Sequence, residues 1–137
     1  MSAGRAGVVS AKPSGRGRLS RSAEFDRVFR HGRSHAGRDL VLYVFPRRED
    51  EAPRLGLSVS RKVGGAVERN RIKRLLREAF AREGGRLPAG TDAVVIARPG
   101  SRDVAERDGL AGILESLSAL IDKVPGAAPR GVDADGG

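Results

Sequence analysis

The sequence predicts an α+β fold of the α/β sandwich kind, a three- to four-stranded sheet with helices packed on one face. Three observations predict it. Apolar residues recur with a period near 3.6 in some segments and near 2 in others, and the two kinds are interleaved along the chain. The 137 residues match one ordinary domain. Apolar residues make up 39%, with four Phe, one Tyr and no Trp, so that domain has one modest and largely aliphatic core.

Residues 1–18 mix Gly, Ser and Pro with Arg and Lys, show no apolar period and hold no acid. They are expected to be a disordered basic arm. The folded domain is expected over 19–124, and 125–137, made mostly of Gly, Ala, Pro and Asp, as a second disordered tail. Within the domain, Ser22 is placed to cap a short helix whose Phe25, Val28 and Phe29 fall at i, i+3 and i+4, with Gly32 to end it. Leu40 to Phe45 is apolar throughout and reads as a strand covered on much of both faces, stopped by Pro46. After an acidic loop, Leu55, Leu57 and Val59 alternate with Gly56, Ser58 and Ser60, the pattern of a half-buried strand whose second face leaves room for another group. A helix of about 68–82 follows, with Ile72, Leu75, Leu76, Ala79 and Phe80 on one side. Ala93 to Ala97 is a short buried strand, and a helix of about 104–124 completes the order α-β-β-α-β-α, with room for one further strand in the loops. Phe45 and Phe80 are assigned to the core.

Composition excludes several chemistries. The absence of Cys removes disulfides, thiolate zinc sites and a cysteine nucleophile. No run approaches the roughly 18 apolar residues of a membrane span, and the first residues lack the apolar segment of a secretory signal, so a cytoplasmic protein with no membrane partner is expected. No nucleophile with its base, no carboxylate pair and no metal cluster stands at a recognisable spacing. His31 and His35 read as a surface pair. Gly64-Gly65, between a strand and a helix start, offers backbone N–H groups to a phosphate, and a tight turn explains it equally well.

Charge is the positive signal. Residues 1–48 hold eleven basic and three acidic residues and 54–77 hold eight and one, whereas 78–124 hold six and eight. A one-signed field of this kind attracts a polyanion. Its centre is a helix face in which Arg69, Asn70, Arg71, Lys73, Arg74 and Arg77 carry five cations with no acid among them. Solvated helices ordinarily alternate signs to gain i,i+4 pairs. Like charges repel here, and a phosphate backbone repays the repulsion by releasing counterions. Arg61 and Lys62, just upstream, extend the patch.

The run Gly56-Leu57-Ser58-Val59-Ser60-Arg61-Lys62-Val63-Gly64, followed by Ala66-Val67-Glu68-Arg69-Asn70-Arg71-Ile72-Lys73-Arg74-Leu75-Leu76-Arg77-Glu78, closely resembles the signature of the bacterial ribonuclease P protein family. Glu24 to Gly32 is similar to that family's first helix, and Ala93 to Arg98 to its later strand. At position 65 this chain has Gly where the family often has a polar or basic residue. The resemblance implies a protein that is inactive alone and serves a catalytic RNA, which removes the 5′ leader of precursor tRNA with magnesium ions held chiefly by the RNA. It implies two partners, the ribonuclease P RNA and precursor tRNA, and no obligate protein partner. It also implies a left-handed βαβ crossover, where general rules favour the right-handed one. Carried onto this chain, Arg61, Lys62, Arg69, Asn70, Arg71, Lys73, Arg74 and Arg77 would face the ribozyme RNA. Phe25, Phe29, His31, Tyr43, Ser58, Val59 and Ser60 would line a cleft for the single-stranded leader, where aromatic faces stack bases of any sequence. Two other classes compete: a ribosomal or assembly protein that binds structured RNA without assisting a reaction, and a DNA binder that lays the basic helix in the major groove. The first helix separates them from the leader reading. Replacing Phe25 and Phe29 by Ala is expected to weaken precursor tRNA binding by about 1–3 kcal/mol per stacked base and to leave mature tRNA binding unchanged; equal losses for both ligands, with a large fall in melting temperature, would make the two rings core.

Overall fold

Alternation along the apolar strand is realised as two faces. In the computed structural model, which describes residues 8–9, 30–46 and 52–130, Leu40, Leu42 and Val44 point into the core while Val41, Tyr43 and Phe45 lie half-buried on the opposite side. The strands are β1 (Val8–Val9), β2 (Arg33–Ala36), β3 (Leu40–Pro46), β4 (Arg54–Val59) and β5 (Thr91–Ala97), in the sheet order β1-β4-β5-β3-β2. The helices are α1 (Ala66–Glu83) and α2 (Gly100–Ile121), with a 3-10 turn at Gly84–Arg86. β5 is central, antiparallel to β3 and parallel to β4, with Tyr43 and Gly56 both opposite Val94. α1 is the crossover between the two adjacent parallel strands.

The α+β expectation holds, with α1, α2 and the aliphatic core on one side of the sheet. Leu55, Leu57 and Val59 of β4, Ala93 and Val95 of β5, Ile72, Leu75 and Leu76 of α1, and Ile113, Leu117 and Ile121 of α2 form one buried cluster. The further strand allowed for in the loops is β2, paired antiparallel to β3 from Arg33↔Val44 to Ala36↔Val41. Phe80 packs against the core as expected. Phe45 does not: it lies on the Tyr43 side, its ring 6.3 Å from that of His31 at a tilt of 48°, because a strand places odd and even residues on opposite faces. Of the expected first helix only Arg30 and His31 are described, and both are helical; Phe25, Val28 and Phe29 lie outside the described residues, as do Glu49 to Glu51 of the acidic loop expected over Glu49 to Pro53.

Two features depart from the expectations. The helix expected as continuous bends at Gly109, whose φ of 60° and ψ of −139° belong to glycine alone. The arm and tail are also not wholly loose. Val8–Val9 pair antiparallel with Leu57 and Ser58 on the outer edge of β4, so backbone pairing succeeds where side-chain periodicity gives no sign of it. At the other end residues 125–130 are tied down by Arg86, which is only 9% exposed. Its guanidinium donates to the Ala128 carbonyl at 2.8 Å, to Glu83 at 3.0 Å and to Ser118 Oγ at 2.9 Å, and also engages Asp122. Arg130 closes the clasp on Asp122 and Glu115, and Arg86 and then Arg130 hold the Asp122 carboxyl below the ordinary aspartate range. A buried guanidinium needs acceptors, and the tail supplies one. Removing residues 126–137 is therefore expected to lower stability by about 1–3 kcal/mol, the penalty for orphaning a buried donor; an unchanged thermal midpoint would show that the clasp contributes nothing.

Candidate nucleic-acid interface

The basic helix is held by its apolar stripe. Ile72, Leu75, Leu76 and Ala79 are buried, and at 100° per residue this sends Asn70 and Arg74 to the opposite, exposed side. The remaining cations divide between the two flanks. Arg71 lies on the flank that meets α2, where its Nη2 donates to the Ala105 carbonyl at 3.0 Å. Glu68 lies on the same flank, 3.9 Å from Arg102 of α2, while its Oε1 accepts the Gly65 N–H at 3.0 Å. Arg69, Lys73 and Arg77, spaced i, i+4 and i+8, form a half-buried row on the flank away from α2.

That row carries the electrostatic strain. Lys73 is pushed below the ordinary lysine range, first by burial and then by Arg69 and Arg77 on either side of it. Arg69 Nε is buried with no hydrogen-bond partner among the described residues. Buried donors ordinarily find acceptors, and this one faces the same flank as its cationic neighbours. Anionic oxygens placed along the row would both satisfy the donor and relieve the lysine.

Arg61 and Lys62 are exposed in the turn that leads into α1. The turn is closed upon itself: Val63 N–H donates to the Ser60 carbonyl at 3.0 Å and Gly64 N–H to the Arg61 carbonyl at 3.2 Å. Ser60 Oγ accepts the Lys62 N–H at 3.3 Å. With Gly65 N–H held by Glu68, the backbone donors at Gly64-Gly65 are already used, so the tight-turn reading stands and the phosphate-loop reading falls. Ser60 belongs to this turn. The exposed apolar side chain in the region is Val67, 80% accessible beside Asn70 and Arg74.

The residues expected to line a cleft separate in the same orderly way. Tyr43 and Ser58 share the sheet face turned away from the helices, Ser58 beside Ile96 and Tyr43 beside Val94. His31 joins that face through Phe45. Val59 does not, being fully buried in the helix-side core, because it neighbours Ser58 on a strand of period two. Phe25 and Phe29 lie outside the described residues. One group on this face escaped sequence reasoning: Asp92, fully buried, takes a bidentate pair from Arg54 at 2.9 and 3.0 Å. Charge of opposite sign at both strand starts was the available signal, but it needs the parallel register to be seen. Among the described residues no group of three or more His, Asp or Glu could hold a metal ion, and no helix is long and apolar enough to cross a membrane.

Fold and site together define a small mixed-sheet protein that presents cations for a polyanion on one helix. Comparison with known proteins is more specific. Residues 14–124 match the family model for Ribonuclease P. The ribonuclease P protein component of Shouchella clausii is 45% identical over 112 residues, covering 82% of this chain and 88% of its own. The solved RNase P protein of Thermotoga maritima superposes with a TM-score of 0.71 at 35% identity, covering 81% of this chain and all of that one. A Staphylococcus aureus RNase P protein mutant, described as having defective mRNA degradation activity, gives a TM-score of 0.69 at 37% identity over 77% of this chain and 86% of that one. The chain belongs to the ribonuclease P protein family. It is the protein subunit of an endoribonuclease that processes tRNA, and its partner is an RNA.

The geometry splits the basic helix into separable roles. Arg74→Ala and Lys73→Ala are each expected to reduce the log-log salt slope of RNA binding by about 0.7–0.9, with the melting temperature kept. Arg71→Ala is expected to cost about 1–2 kcal/mol of stability through loss of the α1–α2 bond. Salt titrations and thermal melts of the three variants check this, and a melting temperature unchanged in Arg71→Ala would return that residue to the RNA face alone.

Proposed function

We propose that this protein binds the ribonuclease P RNA through α1 and the 5′ leader of precursor tRNA through the Tyr43 face of the sheet, and thereby promotes removal of the leader by the RNA. The observation that carries the first half is the row Arg69, Lys73 and Arg77, crowded and partly desolvated, with a buried Arg69 donor awaiting an acceptor. A helix surface of that kind is costly in isolation and favourable against phosphates. The second half rests on Tyr43 and the His31–Phe45 pair, aromatic surfaces on a sheet face with small neighbours at Gly56 and Ser58. Stacking on such surfaces is indifferent to sequence, as a leader of arbitrary sequence requires.

Magnesium enters through the RNA in this reading. The described residues bring together no set of carboxylate and imidazole donors for it, and the excess of cations on α1 opposes a divalent ion there. The protein's part is electrostatic and positional: neutralising phosphates lets the RNA fold compactly and hold its ions at a lower concentration of free magnesium. The cytoplasm, where precursor tRNA is made in bacteria, is the compartment proposed, and no further protein is required. A second reading, direct action on mRNA by the protein, has one observation behind it, the description of the Staphylococcus aureus mutant.

The experiment is reconstitution. The protein added to ribonuclease P RNA is expected to restore cleavage of precursor tRNA at a magnesium concentration where the RNA alone is inactive, and the protein alone is expected to cleave neither precursor tRNA nor an mRNA. Failure to restore cleavage overturns the proposal; hydrolysis of mRNA by nuclease-free protein would establish the second reading.

A further inference from the structure

Val67 is 80% exposed, a large apolar side chain that α1 leaves in water. It stands in the first turn of the helix, where a β-branched residue is a poorer helix former than Ala and buries nothing. Folding does not ask for it. Single exposed apolar residues are common on protein surfaces, so its meaning lies in its neighbours. At 100° per residue, Val67, Asn70 and Arg74 stand within about 60° of one another and form one exposed ridge along the outer side of α1.

The ridge is bounded at both ends. Arg61 and Lys62 are exposed in the turn before it. One turn past Arg74 stands the exposed acid Glu78, which repels a phosphate. The other acid of the helix near the ridge, Glu68, is turned to the α2 flank, where it accepts the Gly65 N–H and lies 3.9 Å from Arg102. From Val67 to Arg74 the helix rises about 10.5 Å. Along that length it offers methyl surface, then an amide, then a guanidinium, with two further cations just upstream.

This sequence of chemistries selects a kind of RNA surface. An unpaired base is taken by a flat π surface, and the aromatic ring of α1, Phe80, packs against the core. The deep major groove of paired RNA is too narrow for side chains to read. Its minor groove is wide and shallow, displays riboses with their 2′-hydroxyls, and has phosphates at its edges. Ribose C–H surface accepts an apolar contact. An amide, donor and acceptor at once, matches a 2′-hydroxyl.

Resting on the reading that α1 binds the ribonuclease P RNA, we propose that this ridge docks along the shallow minor groove of a paired segment of that RNA: Val67 packs on ribose, Asn70 bonds a 2′-hydroxyl, and Arg74, with Arg61 and Lys62, takes the flanking phosphates. Val67 is thereby a binding residue whose contribution is independent of charge. The groove contact tells RNA from DNA and paired from unpaired strands, which phosphate contacts alone do not.

The test measures binding of the full-length protein to ribonuclease P RNA over a range of salt. Val67→Ser is expected to weaken binding about fivefold at every salt concentration, the worth of half-burying a valine, with the log-log slope unchanged. Arg74→Ala is expected to lower that slope. A thermal melt shows that Val67→Ser is folded. Hydroxyl-radical cleavage of the complex locates the riboses that the wild-type protein protects, and these are then made 2′-deoxy. Wild type is expected to bind the substituted RNA about fivefold more weakly, the worth of a hydrogen bond, whereas Asn70→Ala binds both RNAs alike. Val67→Ser binding as tightly as wild type, or weakening only at low salt, overturns the apolar contact. A loss in Asn70→Ala equal to that of wild type on the 2′-deoxy RNA overturns the hydroxyl contact, and protection confined to unpaired nucleotides overturns the groove. If Lys73→Ala and Arg74→Ala both leave the salt slope unchanged, the reading of α1 as the RNA surface fails, and this proposal with it. Slopes that fall while Val67→Ser binds normally overturn this proposal alone.

Discussion

Burial of Ile72, Leu75, Leu76 and Ala79 fixes the rotation of α1, and each cation on that helix takes its position from it. The stripe is roughly a third of the helix circumference and leaves no freedom to turn. Arg71 is carried onto α2 and bonded to Ala105, Asn70 and Arg74 are carried to solvent, and Arg69, Lys73 and Arg77 are carried to the far flank. A change that let α1 rotate by one residue would scramble the three roles together. The hydrophobic core and the basic surface are thus a single constraint seen from two sides.

The sheet makes the same division by parity. Even residues of β3 and odd residues of β4 enter the core, leaving Tyr43, Phe45, Gly56 and Ser58 on the other face. Arg54 and Asp92 join the starts of the parallel pair on that face. A buried ion pair adds little net stability, but the loss of either partner leaves an uncompensated charge. It therefore favours one register over its neighbours, and the register is what lines up Tyr43, Val94 and Gly56 across three strands.

Elements that bury a periodic face were legible in the sequence: the three longer strands and both helices follow from Leu40–Phe45, Leu55–Val59, Ala93–Ala97 and the two aliphatic stripes. β2 was not, because Arg33-Ser34-His35-Ala36 has no apolar alternation and is a strand only through its bonds to β3. Nor was the bend in α2, since one glycine within a helical period is tolerated and carries no mark of its φ. The five cations from Arg69 to Arg77 do not share one face, because 100° per residue spreads them over both flanks and the outer side of α1. Val59 and Ser58 cannot line one cleft, because neighbours on a strand face opposite sides of the sheet. The tail escaped for another reason: Gly, Ala and Pro bury little, and what holds them is a guanidinium forty residues away in sequence.

The family resemblance and the charge pattern reach the same helix by independent routes, and the structure explains why they agree. The sequence keeps Arg69, Lys73 and Arg77 at a spacing that maximises their mutual repulsion, with Lys73 already shifted toward losing its proton. Crowding of this kind is unfavourable in the free protein, and anions laid along the row would relieve it. By linkage, whatever binds the row stabilises the fold by the same free energy that the fold lends to binding. The repulsion that makes the helix a poor solvated surface is what makes it a good one against a phosphate backbone.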